Sequence, residues 1–221
     1  MWTKKTLDLR GHNGRRIHSC LNALDPPARV LTVIVAGFGY TAESPYLYYS
    51  RQVPLRHGSD VLAVDFEYSR NAEFLGLPEG EQEAWFQEEI STLAAYLAKE
   101  DRYGELNFIG KSLGTTTIYG LLRDGAIRAR TRRLVWLTPG ERRREIEALM
   151  LSGEFTSFAV YGLQDPLAEN TDFEKLKESK AVHLLLLAEA GHALDADHPG
   201  TSVEYLRKYL EELESYWLSV R

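Results

Sequence analysis

Short apolar segments alternate along this chain with longer amphipathic ones. Residues 29–36 are apolar almost throughout, as expected for a strand that is covered on both faces of a sheet. Later segments repeat that character and predict further buried strands: 61–66, 106–109, 134–137, 155–161 and 182–187.

Between these strands, apolar residues recur at helical spacing, for example on one face of residues 202–218. The predicted helices are 45–56, 81–102, 113–123, 141–151, 172–180 and 202–218. Such alternation predicts an α/β fold, with a mainly parallel twisted sheet and helices on both faces. Near the N-terminus, 7–10 and 16–22 predict a pair of strands around the turn residues 11–14, as an antiparallel edge. No linker or repeat interrupts the pattern, so we expect a single domain over residues 1–221.

Composition narrows the functional classes. The net charge of -6 argues against a dedicated nucleic-acid binder, and no apolar run approaches the length of a membrane span. The N-terminal residues lack the apolar core of a signal peptide, so we expect none there. The single cysteine, Cys20, cannot make an internal disulfide or a cysteine-rich zinc site. We therefore expect a cytoplasmic protein without a nucleic-acid or membrane partner.

One sequence motif indicates a candidate catalytic residue. Residues 110–114 read Gly-Lys-Ser-Leu-Gly and connect a predicted strand directly to a predicted helix. A serine on such a tight turn projects its oxygen above the sheet, and the flanking glycines avoid collisions with neighbouring backbone. The pattern alone is common, so the interpretation of Ser112 as a nucleophile depends on this context; a serine that only caps the helix is the alternative.

An acid and a histidine follow in the order that this motif requires. Asp165 comes directly after the strand 155–161, and His192 follows the strand 182–187. Because the carboxyl ends of parallel strands share one edge, both should lie near Ser112. We predict that His192 accepts the proton of Ser112 and that Asp165 orients the imidazole. The rivals are Asp172 and Asp195 for the acid, and chiefly His198 for the histidine.

Two backbone N–H groups are candidates for an oxyanion hole. Phe38 follows the first long buried strand, and Leu113 follows the serine directly.

With these residues, the sequence resembles the α/β-hydrolase superfamily from about residue 29 to residue 218. The resemblance implies a mainly parallel sheet of about eight strands, a nucleophile elbow at Ser112 and hydrolysis through an acyl-enzyme. Residues 137–140 lead straight into the next helix, so this member resembles the small ones that lack a cap domain. The segment 36–39 reads Ala-Gly-Phe-Gly and lacks the histidine that is frequent in esterase and lipase relatives.

Several residues are candidates for substrate contact, namely Tyr40, Lys111 and Arg142. Lys111 lies beside the serine, and Arg142, Arg143 and Arg144 begin a helix on the same side of the sheet. One hypothesis is a basic rim that attracts an anionic substrate; the alternative is a solvated surface neutralised by Glu141 and Glu145. The neighbouring tyrosines, Tyr46, Tyr48 and Tyr49, are expected to pack rather than to line a groove. The loop 67–80 could wall the substrate pocket or be ordinary surface.

The sequence therefore favours a serine-dependent acyl hydrolase, similar to esterases and thioesterases, that acts on a small acyl substrate. We expect no metal and no organic cofactor. The alternative is a binding protein that has kept the hydrolase fold without meaningful turnover; the complete set of Ser112, Asp165 and His192 argues against it.

Overall fold

A nine-stranded sheet forms the centre of this computed structural model, which describes residues 1–219. All six predicted buried strands are present, and of the strands in residues 1–219 only the N-terminal β1 was not predicted. The strands are β1 (Trp2–Thr6), β2 (Leu9–Arg10), β3 (Arg16–Leu24), β4 (Val30–Val35), β5 (Ser59–Asp65), β6 (Glu105–Lys111), β7 (Thr131–Leu137), β8 (Thr156–Gly162) and β9 (Val182–Leu187).

The order of the strands is β1-β3-β5-β4-β6-β7-β8-β9, and β2 pairs with β3. From β5 to β9 every pair is parallel, whereas β3 runs antiparallel to both β5 and β1. The predicted antiparallel edge is therefore confirmed. The parallel order brings the carboxyl ends of β4, β6, β7, β8 and β9 to one edge of the sheet.

The helices are α1 (Pro45–Ser50), α2 (Gln52–Arg56), α3 (Ala72–Leu75), α4 (Glu79–Lys99), α5 (Leu113–Leu121), α6 (Gly125–Arg130), α7 (Arg143–Leu151), α8 (Phe173–Glu178) and α9 (Pro199–Ser219). The predicted helix 45–56 is two short helices, because Pro54 has no N–H with which to continue the first one. The short helices α3 and α6 were not predicted. Within residues 1–219, no helix combines the length and the apolar character needed to span a membrane.

Helices cover both faces of the sheet, as the apolar strands predict. Along β4, Val33 and Val35 pack into the core beneath α4, α5 and α7, whereas Ile34 packs into the opposite core beneath α1, α2 and α9. This alternation is the period of a strand that is buried on both sides. Residues 138–142 join β7 to α7 without an insertion.

Two arginines at the opposite edge of the sheet, Arg128 and Arg130, make structural contacts. Arg128 pairs with Glu154, and Arg130 donates hydrogen bonds to the carbonyls of Leu97, Glu100 and Tyr103. The contacts of Arg130 tie α6 to the end of α4 and to the loop that follows it.

Candidate functional site

Ser112 occupies the tight turn between β6 and α5. Its backbone has a φ of 52° and a ψ of -117°, a conformation that non-glycine residues rarely adopt. A Cβ on Gly114 would lie 2.2 Å from the carbonyl oxygen of Val35, and one on Gly110 would lie 2.8 Å from the carbonyl oxygen of Gly114. Both glycines are required because backbone atoms occupy the space that a side chain would need.

Hydrogen bonds hold this turn in place. The N–H of Ser112 donates to the carbonyl oxygen of Leu137 on β7 at 2.9 Å. The hydroxyl of Thr115 donates to the carbonyl oxygen of Ser112 at 2.6 Å and accepts from the N–H of Gly140 at 3.3 Å. The strained residue is thus fixed by β7, by α5 and by the loop that follows β7, which is how strained backbone persists in a fold.

The side chains of Ser112, His192 and Asp165 form one hydrogen-bonded chain. His192 Nε2 lies 2.8 Å from Ser112 Oγ, and His192 Nδ1 lies 2.7 Å from Asp165 Oδ2. Asp165 and His192 come from the loops after β8 and β9. These loops approach closely at Gly162, where a Cβ would lie 2.2 Å from the carbonyl oxygen of Ala190.

The rival residues have other partners. Asp172 caps α8 by accepting the N–H of Lys175, and His198 Nδ1 accepts the N–H of Gly200 at the start of α9. Asp195 is exposed, and its carbonyl oxygen accepts the N–H of Gly191. The structure therefore brings together the three residues that the sequence analysis selected.

Burial and hydrogen bonding shift the pKa of Asp165 in opposite directions. The residue is 4% exposed. Burial alone would raise the pKa of its carboxyl. The hydrogen bonds from His192 and from the N–H of Leu167, together with the positive charges of His192 and Lys111, outweigh burial and lower the pKa. Asp165 is thus held as a carboxylate that faces the imidazole.

Two backbone N–H groups flank Ser112. Gly37 packs against the nucleophile turn, because a Cβ on it would lie 3.3 Å from Ser112 Cβ, and Phe38 follows it. Within residues 1–219, no acceptor pairs with the N–H of Phe38 or of Leu113. Neither donor is engaged within the described residues, which the predicted oxyanion role requires.

Lys111 does not face a substrate, so the expectation of a contact there is wrong. The side chain is 1% exposed, and its Nζ donates to Thr138 Oγ1 at 2.5 Å and to the carbonyl oxygen of His192 at 2.6 Å. Burial lowers the pKa of Lys111 to about 7, against the opposing charges of Asp165 and Asp195. Strand β6 extends through this residue, and the loops after β7 and β9 cover its side chain.

A cleft with a volume of about 490 Å³ adjoins the candidate oxyanion donors. Phe38 and Leu113 line one side, Phe74 from the loop 67–80 contributes another wall, and α4 begins along a third. The remaining lining residues are Glu79, Gly80, Gln82, Glu83, Phe86, Glu141 and Arg142. The loop 67–80 therefore does wall the cleft beside Ser112.

The charges of this cleft contradict the hypothesis of a basic rim. Glu79, Glu83 and Glu141 line it against a single cation, Arg142, which pairs with Glu145 at 3.3 Å. Arg143 donates a hydrogen bond to the carbonyl oxygen of Leu167 and forms an ion pair with Glu147. The cleft is acidic because α4 brings Glu79 and Glu83, which are distant in the sequence, to the same cleft as Glu141.

Tyr40 lies on the other side of the site. Its ring is half-buried, and the ammonium nitrogen of Lys111 lies over it, 5.2 Å from the ring centroid. The Tyr40 hydroxyl accepts a hydrogen bond from the N–H of Tyr46. Burial raises the pKa of Tyr40 to about 12. Tyr46 is buried, as expected, although it also lines a groove. Tyr48 and Tyr49 were expected to pack as well, but they are exposed and contact each other edge to face. Tyr40 and Tyr46 line an apolar groove of about 200 Å³ that includes Ala193, the neighbour of His192.

No family model and no curated protein matches the sequence, but solved structures match nearly all of the chain. Est1E from Butyrivibrio proteoclasticus is 16% identical, covers 98% of each chain and has a TM-score of 0.66. The Pyrococcus furiosus esterase Pf2001 is 13% identical, covers 99% of this chain and 93% of its own, and has a TM-score of 0.67. A dienelactone hydrolase from Anabaena variabilis is 15% identical, covers 100% and 99%, and has a TM-score of 0.61. The chain has the α/β-hydrolase fold.

This α/β-hydrolase fold carries no cap between β7 and α7. The cleft is therefore bounded by the loop 67–80, by the start of α4 and by the loop after β7. Within residues 1–219, no group of three or more His, Cys, Asp or Glu side chains is arranged to hold a metal ion.

Three residues that contribute to the site were missed from the sequence. Thr138 is a buried polar residue directly after the apolar run of β7, a position that could have drawn attention to it. Glu79 and Glu83 carried no such signal, because only the path of the loop 67–80 brings the start of α4 to the site.

The strained backbone at Ser112 predicts an unusual order of stabilities. The variant Ser112→Gly should have a larger free energy of unfolding than Ser112→Ala, by about 1 kcal/mol, because alanine keeps the Cβ that makes a φ of 52° unfavourable. Urea unfolding of both variants measures the difference.

Ser91 is the matched control, because it is an exposed residue inside α4. There alanine should be more stable than glycine, by about 1 kcal/mol. If alanine were also the more stable residue at position 112, the turn would not be strained.

Proposed function

We propose that this protein is a serine hydrolase that cleaves a carboxylic ester, thioester or related acyl bond of a small substrate. The hydrogen-bonded chain from Ser112 through His192 to Asp165 is the observation that carries the proposal. It lies at the carboxyl edge of the parallel strands, where α/β folds bind their ligands.

The chemistry follows from these positions. Ser112 Oγ attacks the acyl carbon while His192 Nε2 takes the hydroxyl proton, and Asp165 stabilises the imidazolium through Nδ1–H. The carbonyl oxygen gains a negative charge in the tetrahedral intermediate, and the N–H groups of Phe38 and Leu113 stabilise it. His192 then returns the proton to the leaving alcohol or thiol, which leaves an acyl-enzyme. Water, deprotonated by His192, releases the acid and restores Ser112.

The similar solved structures support an ester as substrate. They include esterases and a dienelactone hydrolase, and Est1E has been crystallised with bound ferulic acid. These activities belong to those proteins. Because one fold hosts many chemistries, the arrangement at Ser112 carries the proposal here, and the neighbours add only that the arrangement suits ester hydrolysis.

Substitution of the three side chains should abolish turnover without loss of the fold. On p-nitrophenyl acetate, we expect Ser112→Ala and His192→Ala to lose about 10³-fold or more in kcat/KM, and Asp165→Asn to lose less. Circular dichroism checks that each variant is folded. The rival His198→Ala is the control and should retain wild-type activity. Wild-type activity in Ser112→Ala would contradict the role of Ser112, and an absence of turnover by the wild type would favour a binding protein.

The acidic cleft predicts a preference for positively charged esters. Acetylcholine, the acetate ester of choline, carries a cation where 3,3-dimethylbutyl acetate carries a neutral group of the same shape. At low salt, we expect a KM about threefold lower for the choline ester, and the difference should vanish at high salt because the carboxylates are exposed.

The triple variant Glu79→Gln, Glu83→Gln, Glu141→Gln should remove this preference, whereas Arg142→Gln should increase it. A lower KM for a negatively charged ester, such as a succinate monoester, would restore the basic-rim hypothesis. Equal KM values for all three esters would show that the cleft does not receive the charged group.

A further inference from the structure

Lys111 is a buried cation that the proposed chemistry does not use. Its side chain is 1% exposed, and among residues 1–219 no carboxylate lies within ion-pair distance of its ammonium. A charged group that is taken out of water without an ion pair lowers the stability of a fold. Lysine at this position therefore lowers the stability of the fold, and its hydrogen bonds indicate its role in the site.

The ammonium connects three loops at the edge of the sheet. Nζ donates to Thr138 Oγ1 after β7 and to the carbonyl oxygen of His192 after β9, and it belongs to the residue that precedes Ser112. The hydroxyl of Thr138 lies 3.2 Å from the same carbonyl oxygen. Thr138 has a φ of 42°, which is rare for a β-branched residue, so the backbone is strained where its hydroxyl meets the lysine.

The surroundings of the ammonium extend this link to the rest of the site. Asp165, Asp195 and the ring of Tyr40 face Lys111 together with the main chain of His192. The charge of Lys111 also contributes to the lowered pKa of Asp165. The imidazole of His192 is thus held from two sides, by Asp165 at its ring and by Lys111 at its backbone.

We propose that Lys111 is a positioning residue that fixes the main chain of His192, and so the distance from His192 Nε2 to Ser112 Oγ, at the expense of stability. The proposal rests on the function proposed above. A proton acceptor that is misplaced by about 1 Å can cost about 10²-fold in rate, so a rigid anchor under a loop residue has a large effect.

The decisive variant is Lys111→Met, whose unbranched side chain is one atom shorter and lacks the charge and the donors. For p-nitrophenyl acetate, we expect kcat to fall about tenfold or more while KM stays within about twofold, because only the placement of His192 changes. The variant should also be more stable than the wild type, with a Tm about 3 °C or more higher at pH 6.

The pH dependence of this stability difference has a defined sign. The pKa of Lys111 is about 7 in the fold, against 10.5 for an ordinary lysine. Below pH 7 the lysine is charged in both the folded and the unfolded chain, so the wild type bears the full cost of burial. Between pH 7 and 10.5 only the unfolded chain binds the proton, so wild-type stability rises with pH and the advantage of Lys111→Met shrinks.

Thr138 supplies an independent test that leaves the lysine in place. Thr138→Val removes the hydroxyl between Lys111 and His192 and should lower kcat severalfold, whereas Thr138→Ser keeps the hydroxyl and should retain wild-type kcat. In the Lys111→Met background, Thr138→Val should cost less than it does alone, because both act through one carbonyl group.

The outcomes separate this proposal from the function itself. If Ser112→Ala is inactive and Lys111→Met retains wild-type kcat, the hydrolase stands and the positioning role is wrong. A Lys111→Met protein that is less stable than the wild type, or fails to fold, would show that the lysine serves stability, which also overturns the proposal. Wild-type activity in Ser112→Ala would contradict the function instead.

Discussion

The close approach of backbone at the turn after β6 is the constraint on which the rest of the structure depends. At Gly114 the start of α5 comes so near to the carbonyl oxygens of Val35 and Ala36 that no side chain fits between them. This approach forces Ser112 into its unusual backbone conformation and raises its hydroxyl above the sheet edge. The same contact positions the oxyanion candidates, because Phe38 comes two residues after Ala36 and Leu113 comes directly before Gly114.

The strained turn places Ser112 correctly for the proposed chemistry only if Asp165 and His192 are also held firmly. Strands β8 and β9 deliver Asp165 and His192 to the same edge, where Gly162 lets their loops meet. Beneath them the buried ammonium of Lys111 ties the His192 loop to Thr138. The site therefore combines strain at Ser112 and Thr138 with a buried cation that has no ion pair among residues 1–219. The large cores on both faces of the sheet offset these costs.

Local signals explain which features the sequence predicts. The continuous apolar runs and the Gly-x-Ser-x-Gly turn are short-range patterns, so the parallel strands, the position of Ser112 and the two loops after β8 and β9 follow from them. Strand β1 was missed because all of its residues are exposed, which leaves no apolar pattern. Lys111 was misjudged because adjacency to Ser112 does not reveal that loops from β7 and β9 cover it. The charge of the cleft was misjudged because two of its three carboxylates, Glu79 and Glu83, come from α4, which only the tertiary structure brings near.

Covalent labelling tests most directly the central claim that this geometry activates Ser112. The folded protein is treated with a fluorophosphonate, and the adduct is located by mass spectrometry after trypsin digestion. Because trypsin cleaves after Lys111, Ser112 begins its own peptide. The account predicts one adduct for each chain, on that peptide, and none in His192→Ala. An adduct on another residue, equal labelling of His192→Ala, or no adduct under conditions that label an active serine esterase would contradict it.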